Sequence, residues 1–390
     1  MTDRNLFMDM GMSQYTKHGQ NICGDVFKYR QIPEEERLVL VLSDGFGSGV
    51  KANIQASICA TMACRFAAGN MEMPRSAEVI MRALPECRVR KISYATFTVV
   101  DINLNRKAHI VEMDNPRFLL IRNAELVEVP HKVLKPRKWD NRNLRLYDFE
   151  IRLNDRVVIF SDGIAQAGLG SMRYPMGWQE GCAQYLLEKV KKSPGISANE
   201  LAQCVIREAL GKESKYQAGD DMSCAVVYCR KPRRMLLLAG PPFDHSYDAQ
   251  WAERFAAFTG DKVIAGGTSS EIIARELKKE IILDTSSSYY NVPPGSKMEG
   301  ADLVCEGVLT LNRAAELLEN HRRESFSPAG KLVEIFLRND VITFLVGTRI
   351  NEAHQDPRLS STLEYRRNIV KKIAKDLKEN FLKEINIEYV

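Results

Sequence analysis

The chain has 390 residues, of which 45% are hydrophobic and 27% are charged, and its formal net charge is +5. This length exceeds that of one ordinary domain, and the composition is that of a soluble globular protein with enough apolar residues for a core in each domain. The mild, dispersed charge argues against a nucleic-acid-binding protein, and no apolar run has the length that a membrane span needs.

Two further features point to a cytoplasmic protein. The first ten residues, MTDRNLFMDM, lack the basic segment followed by an apolar segment that marks a secretory signal. The nine cysteines are scattered without CxxC pairs or zinc-like spacing, which is typical of reduced thiols in a cytosol.

The first part of the chain is rich in predicted strands. A buried strand begins at residue 38 with LVLVLS and is followed by an alanine-rich helix from Val50 to Ala68. Three strand-like runs separated by short turns then predict an antiparallel meander, near residues 94–101, 107–114 and 117–122. A strand at 156–160, helices near 179–192 and 197–210, and a strand near 223–229 complete a predicted α+β sandwich. The second of these helices is predicted to begin with a capping box of Ser197 and Glu200.

The polar run Arg230–Arg234 predicts a domain boundary, giving domains at residues 1–232 and 233–390. Beyond it, strand-like and helix-like segments alternate, which predicts a smaller α/β domain with an at least partly parallel sheet. The last helical segment, near 361–382, spaces Ile369, Ile373, Leu377 and Phe381 on one face, and we expect that face to pack on its own domain. A partner-binding helix is the alternative.

Four acidic motifs are the candidate chemistry of the first domain. They are GDVF with Asp25, SDGFGSG with Asp44 and Gly45, SDG with Asp162, and GDDMS with Asp220 and Asp221. Glycine after the acid removes the Cβ and would let a metal ion or its waters approach the backbone. Each Asp-Gly pair alone is also typical of a turn. Together, several carboxylates at the ends of strands would repel each other without cations, so the set predicts a site for hard divalent metal ions.

The order GDxF, LSDGxGSG, ATxxxxDxN, SDG and GDDMS resembles the metal-dependent protein phosphatase superfamily (PPM, type 2C). It is most similar to the bacterial subfamily typified by the stage II sporulation protein E phosphatase domain. The resemblance covers roughly residues 10–230. It implies a PPM-type antiparallel β-sandwich flanked by helices, with two Mn²⁺ or Mg²⁺ ions at one end.

The resemblance also implies a role for each acidic residue. Asp44 would bridge both ions, and the Gly45 carbonyl would bind one of them. Asp162 and Asp220 would complete the shell of the other ion, and Asp25 would contribute to the second ion through water. Asp221 stands where the broader superfamily usually has asparagine and is added to the metal set. The catalytic residues on this reading are Asp44, Asp162 and Asp220.

The implied activity is hydrolysis of phosphoserine or phosphothreonine on a partner protein. The resemblance implies that metal-activated water attacks the phosphorus directly, without a phosphoenzyme. Many eukaryotic members carry a histidine after the second Asp-Gly, where this chain has Phe46. The resemblance therefore names no general acid here.

Alternatives of other classes remain open. Cys59 and Arg65 match a Cys-x5-Arg spacing, but the segment between them is helical and lacks glycine, which favours core cysteines over a cysteine-dependent phosphatase. The phosphatase fold could also serve as a catalytically weak scaffold. Thr268 and Glu271 predict a capping box after Gly266–Gly267, and the third hypothesis is a phosphate or nucleotide sensor near Thr268–Ser270. A regulator bound to the C-terminal domain, and a homodimer, are left open.

Overall fold

The structure is a computed structural model, and it divides the chain into two compact units, Met1–Lys231 and Pro232–Val390. It describes residues 6–84, 95–103, 105–135, 143–284, 292–320, 322, 324, 326–349, 360–381 and 383–390. The roles predicted for the two domains stay predictions.

The first unit is built mainly from strands. Its strands are β1 (Phe7–Tyr15), β2 (Asp25–Ile32), β3 (Arg37–Gly45), β4 (Ala95–Asn103), β5 (Lys107–Met113), β6 (Leu119–Arg122), β7 (Glu125–Val127), β8 (His131–Leu134), β9 (Leu144–Glu150), β10 (Arg156–Phe160) and β11 (Met222–Arg230). Its helices are α1 (Gly49–Ala68), α2 (Met73–Ala83), α3 (Asp162–Ala165), α4 (Gln179–Lys192) and α5 (Ala198–Leu210).

These strands form two antiparallel sheets, in the orders β1-β11-β10-β6-β7 and β2-β3-β4-β5-β9-β8. The faces of the two sheets share one apolar core, to which Leu40 of β3 and Val227 of β11 both belong. In β3, Leu40 packs into this core while Val39 and Val41 pack against α1, so the strand is buried on both faces. The predicted α+β sandwich is confirmed.

Helices cover the outer face of each sheet. The alanine-rich helix α1 packs on the six-stranded sheet, where small side chains allow close approach. Helices α4 and α5 pack on the five-stranded sheet. The predicted capping box of α5 is confirmed, because Ser197 accepts from the Glu200 amide and the Glu200 side chain accepts from the Ser197 amide.

The predicted meander is wrong at its third strand. β5 pairs with β4 and β9, whereas β6 crosses to the other sheet and pairs with β10. Between β5 and β6, the buried Glu112 carboxylate accepts a hydrogen bond from the Phe118 amide at 2.6 Å. The crossing places Phe118 and Leu120 in the core between the sheets, which a hairpin on one sheet would not do.

The second unit contains a mixed sheet. Its strands are β12 (Arg234–Ala239), β13 (Asp261–Ala265), β14 (Ile281–Leu283), β15 (Ser296–Met298), β16 (Leu303–Cys305), β17 (Val341–Val346) and β18 (Glu384–Tyr389). The sheet order is β14-β15-β16-β13-β12-β17-β18, and the five strands from β16 to β18 are parallel. The predicted α/β unit with a partly parallel sheet is confirmed.

Helices lie on both faces of this sheet. They are α6 (Asp248–Ala257), α7 (Gly267–Leu277), α8 (Val308–Glu319), α9 (Pro328–Arg338) and α10 (Ser360–Phe381). Helices α6 and α7 belong to one apolar core, and α8, α9 and α10 to the other. The stripe Ile369, Ile373 and Leu377 of α10 lies in the second core, so the prediction that it packs on its own domain is confirmed.

One predicted cap in this unit is wrong. Helix α7 begins at Gly267 with Gly266 as its N-cap residue, so Thr268 lies inside the first turn and does not form a capping box with Glu271. Gly266 has a φ of +133°, a conformation that favours glycine and lets the chain enter the helix earlier than the side-chain pattern predicts.

Within the residues that the structure describes, no helix combines the length and the apolar composition needed to cross a membrane.

Candidate functional site

The end of the β2–β3 pair brings two of the predicted carboxylates together. Asp25 at the start of β2 lies directly opposite Asp44 near the end of β3, and the carboxyl groups of the two residues are in contact. Asp25 is buried, and its Oδ2 receives no hydrogen bond from the residues that the structure describes, although Ser161 and Ser223 lie beside this carboxyl group. An acceptor in this position has unused capacity for a donor or a cation.

The third carboxylate comes from the other sheet. Asp162 directly follows β10, where it begins the short helix α3, and its carboxyl group contacts that of Asp44. Gln166, one turn later, donates from Nε2 to Asp162 Oδ2 at 3.3 Å. The structure therefore joins Asp25, Asp44 and Asp162 in one connected group at the edge of the sandwich.

The two glycines that follow these acids are required by close backbone contacts. A Cβ at Gly45 would lie 1.9 Å from the Ala52 carbonyl oxygen of α1, and a Cβ at Gly163 would lie 2.1 Å from the Asp221 carbonyl oxygen. The sequence pattern suggested space for a metal ion as the reason for glycine. The structure shows a different reason, since only glycine lets α1 and the Asp221 segment approach the carboxylates.

Asp220 and Asp221 lie just before β11 and differ in their surroundings. Asp220 is partly exposed, and its Oδ1 lies 3.5 Å from Lys17 Nζ. The Asp221 carboxylate is buried and accepts hydrogen bonds from the backbone amides of Lys17 and Gly24, each at 2.9 Å. Asp221 therefore holds the segment that leads into Asp25, with both of its oxygens already occupied.

The electrostatics of the cluster follow from burial and mutual repulsion. Burial raises the pKa of Asp44 to about 9, and the neighbouring Asp25 and Asp162 carboxylates raise it further in the same direction. Burial also raises the pKa of Asp25 to about 7, against the lowering effect of the Ser223 and Ser161 hydroxyls. The pKa of Asp162 is raised first by burial and then by Asp220.

These residues fit divalent metal ions by their chemistry. Carboxylate and carbonyl oxygens are the ligands of Mg²⁺ and Mn²⁺. A bound cation would give the Asp25 oxygen a partner and would lower the raised pKa values of these carboxyl groups. In contrast, no three His, Cys, Asp or Glu side chains among the described residues converge closely enough to enclose an ion. The carboxyl groups contact one another instead, so binding would require small rotations of these side chains.

The alternative Cys-x5-Arg motif lies elsewhere and has a structural role. Cys59 is fully buried in the core between α1 and the sheet, and burial raises the pKa of its thiol to about 12. A buried, protonated thiol inside a helix lacks the amide cradle and thiolate of a cysteine-dependent phosphatase.

A sequence model of the family described as Stage II sporulation protein E (SpoIIE) matches residues 34–230, about half of the chain. The chain belongs to the SpoIIE family. This assignment confirms the resemblance seen in the acidic motifs, and at the family level it places the chain among the phosphatases. A search of curated proteins found no match.

Several solved structures are similar to this SpoIIE-family chain. The SpoIIE phosphatase domain of Bacillus subtilis is 16% identical, with 58% of this chain and 94% of that chain covered and a TM-score of 0.43. RsbX in complex with magnesium is 18% identical, with 57% and 95% covered and a TM-score of 0.42. A serine/threonine phosphatase of S. agalactiae is 15% identical, with 57% and 99% covered and a TM-score of 0.42.

Sequence reasoning missed one charged residue of this SpoIIE-family site. Lys17 lies beside Asp220, and its backbone amide is bound by Asp221. The only signal in the sequence is that Lys17 precedes the GDVF motif by a few residues, within a polar segment that carries no pattern of its own. The contact depends on residues about 200 positions apart and could not be derived locally.

Proposed function

We propose that this chain is a metal-dependent phosphatase that hydrolyses phosphoserine or phosphothreonine on a cytoplasmic partner protein. The observation that carries the proposal is the connected group of Asp25, Asp44 and Asp162, which two different sheets deliver to one edge of the sandwich. Membership of the SpoIIE family supports the same reaction class.

The residues that would hold two Mn²⁺ or Mg²⁺ ions are Asp25, Asp44, Asp162 and Asp220, with the Gly45 carbonyl. When bound, such ions lower the pKa of a coordinated water and offset the charge on phosphoryl oxygens. Asp221 was predicted as a further ligand. Since both of its oxygens accept backbone hydrogen bonds, we assign it a positioning role toward Gly24 and the adjacent Asp25.

Lys17 places a positive charge at this site. Its ammonium group is partly exposed beside Asp220, where it can attract an anionic substrate to the carboxylate cluster. Phe46 occupies the position after Gly45 and has no titratable proton, so this chain contributes no acid there. The leaving alkoxide must therefore take its proton from another group at the site.

The test is hydrolysis of p-nitrophenyl phosphate and of a phosphoserine peptide, with and without Mn²⁺. We expect metal-dependent turnover in the wild type, and a loss of at least about 100-fold in Asp44→Asn and Asp220→Asn. Asp148→Asn is the matched control, since Asp148 is an exposed carboxylate of the same unit. Equal turnover with and without metal, or full activity in Asp44→Asn, would overturn the proposal.

A second candidate is a catalytically weak scaffold that keeps the phosphatase fold as a binding platform. The observation in its favour is that the described acidic side chains do not converge on an ion. Calorimetric titration with Mn²⁺ separates the two candidates. Binding that disappears in Asp44→Asn favours the enzyme, whereas no binding and no turnover together favour the scaffold.

A further inference from the structure

The second unit contains a cavity that the phosphatase reaction does not use. It has a volume of about 570 Å³, which lies in the range of small-molecule sites. Its lining includes Phe243 from the loop after β12, Tyr247 and Trp251 at the start of α6, and Val390 after β18. Because β12 and β18 are parallel members of one sheet, these residues meet at the edge where the strands end.

The cavity lies at a position where parallel sheets of this kind commonly bind ligands. Among the parallel strands, the chain proceeds from β12 to β13 and β16 on one side, and then to β17 and β18 on the other. The order reverses between β12 and β17. Doubly wound sheets bind ligands outside the carboxyl ends of the strands at such a reversal, and the loop that carries Phe243 leaves β12 at this point.

The side chains of the cavity offer aromatic surface and one unused donor. Phe243 is 72% exposed and Tyr247 is 57% exposed, so both rings are available for stacking. Trp251 is only 4% exposed, and its Nε1 has no hydrogen-bond partner among the described residues. Tyr247 and Trp251 are four positions apart and therefore lie on one side of the helix start. A buried indole N–H normally finds an acceptor. Nε1 is itself buried in this structure, so a ligand in the cavity would supply that acceptor after a small rotation of the Trp251 side chain.

The charges around the cavity argue against a phosphate group. The turn after β12 reads Ala239-Gly240-Pro241-Pro242-Phe243-Asp244 and lacks the glycine pattern that cradles a pyrophosphate. Asp244 binds the Ser246 amide, and Asp248 begins α6, so carboxylates occupy the place where that helix would receive an anion. The neighbouring Arg275 and Arg349 are already paired with Asp248. Of the lining charges, Arg254 is paired with Glu388 at 2.7 Å, and Glu253 is acidic.

We propose that this cavity binds a small, uncharged, planar heteroaromatic molecule of the nucleobase class, which stacks on Phe243 and Tyr247 and accepts a hydrogen bond from Trp251 Nε1. The proposal is independent of the phosphatase activity. It differs from the anion site predicted near Thr268–Ser270, which stays a prediction. In that segment Ser269 and Ser270 are buried, whereas the rings of Phe243 and Tyr247 face solvent.

The test is calorimetric titration of the full chain with adenosine, guanosine, cytidine and uridine, with ribose as the non-aromatic control. We expect at least one nucleoside to bind at one site per chain, ribose not to bind, and the matching 5′-monophosphate to bind no tighter. Phe243→Ala and Tyr247→Ala should each weaken binding about tenfold, since stacking on a base contributes on that scale. Trp251→Phe keeps a ring but deletes the donor and should weaken binding about fivefold.

Phe326→Ala is the matched control, because Phe326 is a 79% exposed phenylalanine of the same unit that does not line the cavity. It should leave the affinity unchanged, and circular dichroism should show native folding in all the variants. The proposal is overturned if none of the four nucleosides binds at up to about 1 mM. It is equally overturned if binding persists undiminished in Phe243→Ala and Tyr247→Ala, or if a monophosphate binds more tightly than its nucleoside.

Discussion

Asp25 and Asp44 occupy directly opposite positions on the antiparallel strands β2 and β3, and their carboxyl groups are in contact. Like charges placed opposite each other in a sheet are destabilising. The arrangement persists because the register of the two strands is determined by the apolar core on both faces of β3. The fold therefore holds the carboxylates together at a cost in stability, as functional sites often do.

Replacing Asp44 with asparagine removes one carboxyl group at almost constant volume. In EDTA at neutral pH we expect the variant to melt no lower than the wild type, because Asp44, with its pKa raised to about 9, must take up a proton on folding, whereas the amide is neutral without one. Mn²⁺ should raise the melting temperature of the wild type alone, since a ligand at 100 times its dissociation constant adds about 2.7 kcal/mol to the free energy of unfolding. Scanning calorimetry measures both effects, with Asp148→Asn as a control that keeps the metal response. An equal response in Asp44→Asn would show that Asp44 is not a ligand.

Replacing Gly45 with alanine should damage both stability and activity. The added methyl group would lie 1.9 Å from the Ala52 carbonyl oxygen, so β3 or α1 must move. We expect a loss of about 1–3 kcal/mol in the free energy of unfolding, measured in urea, together with reduced turnover because Asp44 moves with its neighbour. Gly195→Ala is the control, since its methyl group meets open space and should change stability by less than about 0.5 kcal/mol. Equal costs in the two variants would refute the close-contact argument.

Cys59 should be dispensable for hydrolysis. Because burial raises the pKa of its thiol to about 12, the thiolate forms only near or above that pH, and at pH 8 the group is protonated. We expect iodoacetamide at pH 8 to spare Cys59 in the native protein while it modifies the less buried Cys204, as peptide mass spectrometry would show. Cys59→Ala should keep its Mn²⁺-dependent turnover. A folded but inactive Cys59→Ala would instead indicate cysteine chemistry.

Helix α10 should be essential to the second unit. Ile373 is fully buried in the core that α10 shares with α8 and α9, so Ile373→Ala should lower the free energy of unfolding of this unit by about 2–5 kcal/mol. Ile282→Ala, at a 57% exposed position of the same unit, should change it by less than about 0.5 kcal/mol. Chemical denaturation gives both values. A small effect of Ile373→Ala would instead support the alternative that α10 binds a partner protein.

Local patterns in the sequence determined much of the fold and of the acidic site. The apolar run of β3, the small residues of α1 and the Ser197–Glu200 cap each depend on neighbours within a few positions, and each was predicted. The acidic motifs were recognisable for the same reason, since an acid followed by glycine at the end of a buried strand is a local signal. Such a local signal does not show which of the acidic residues contact one another in the folded chain.

The tertiary structure alone decided the contacts between distant segments. Asp221 binds the amides of Lys17 and Gly24 across 204 and 197 positions; the positioning role proposed for Asp221 rests on these contacts, and they place Lys17 at the site. The position of β6 in the five-stranded sheet, and the position of Phe243 and Val390 at one cavity, also depend on contacts between distant segments. Such contacts depend on how whole sheets pack against each other. The free energy for that packing comes from burial of the shared apolar core rather than from the contacting residues, so no local sequence pattern predicts these contacts.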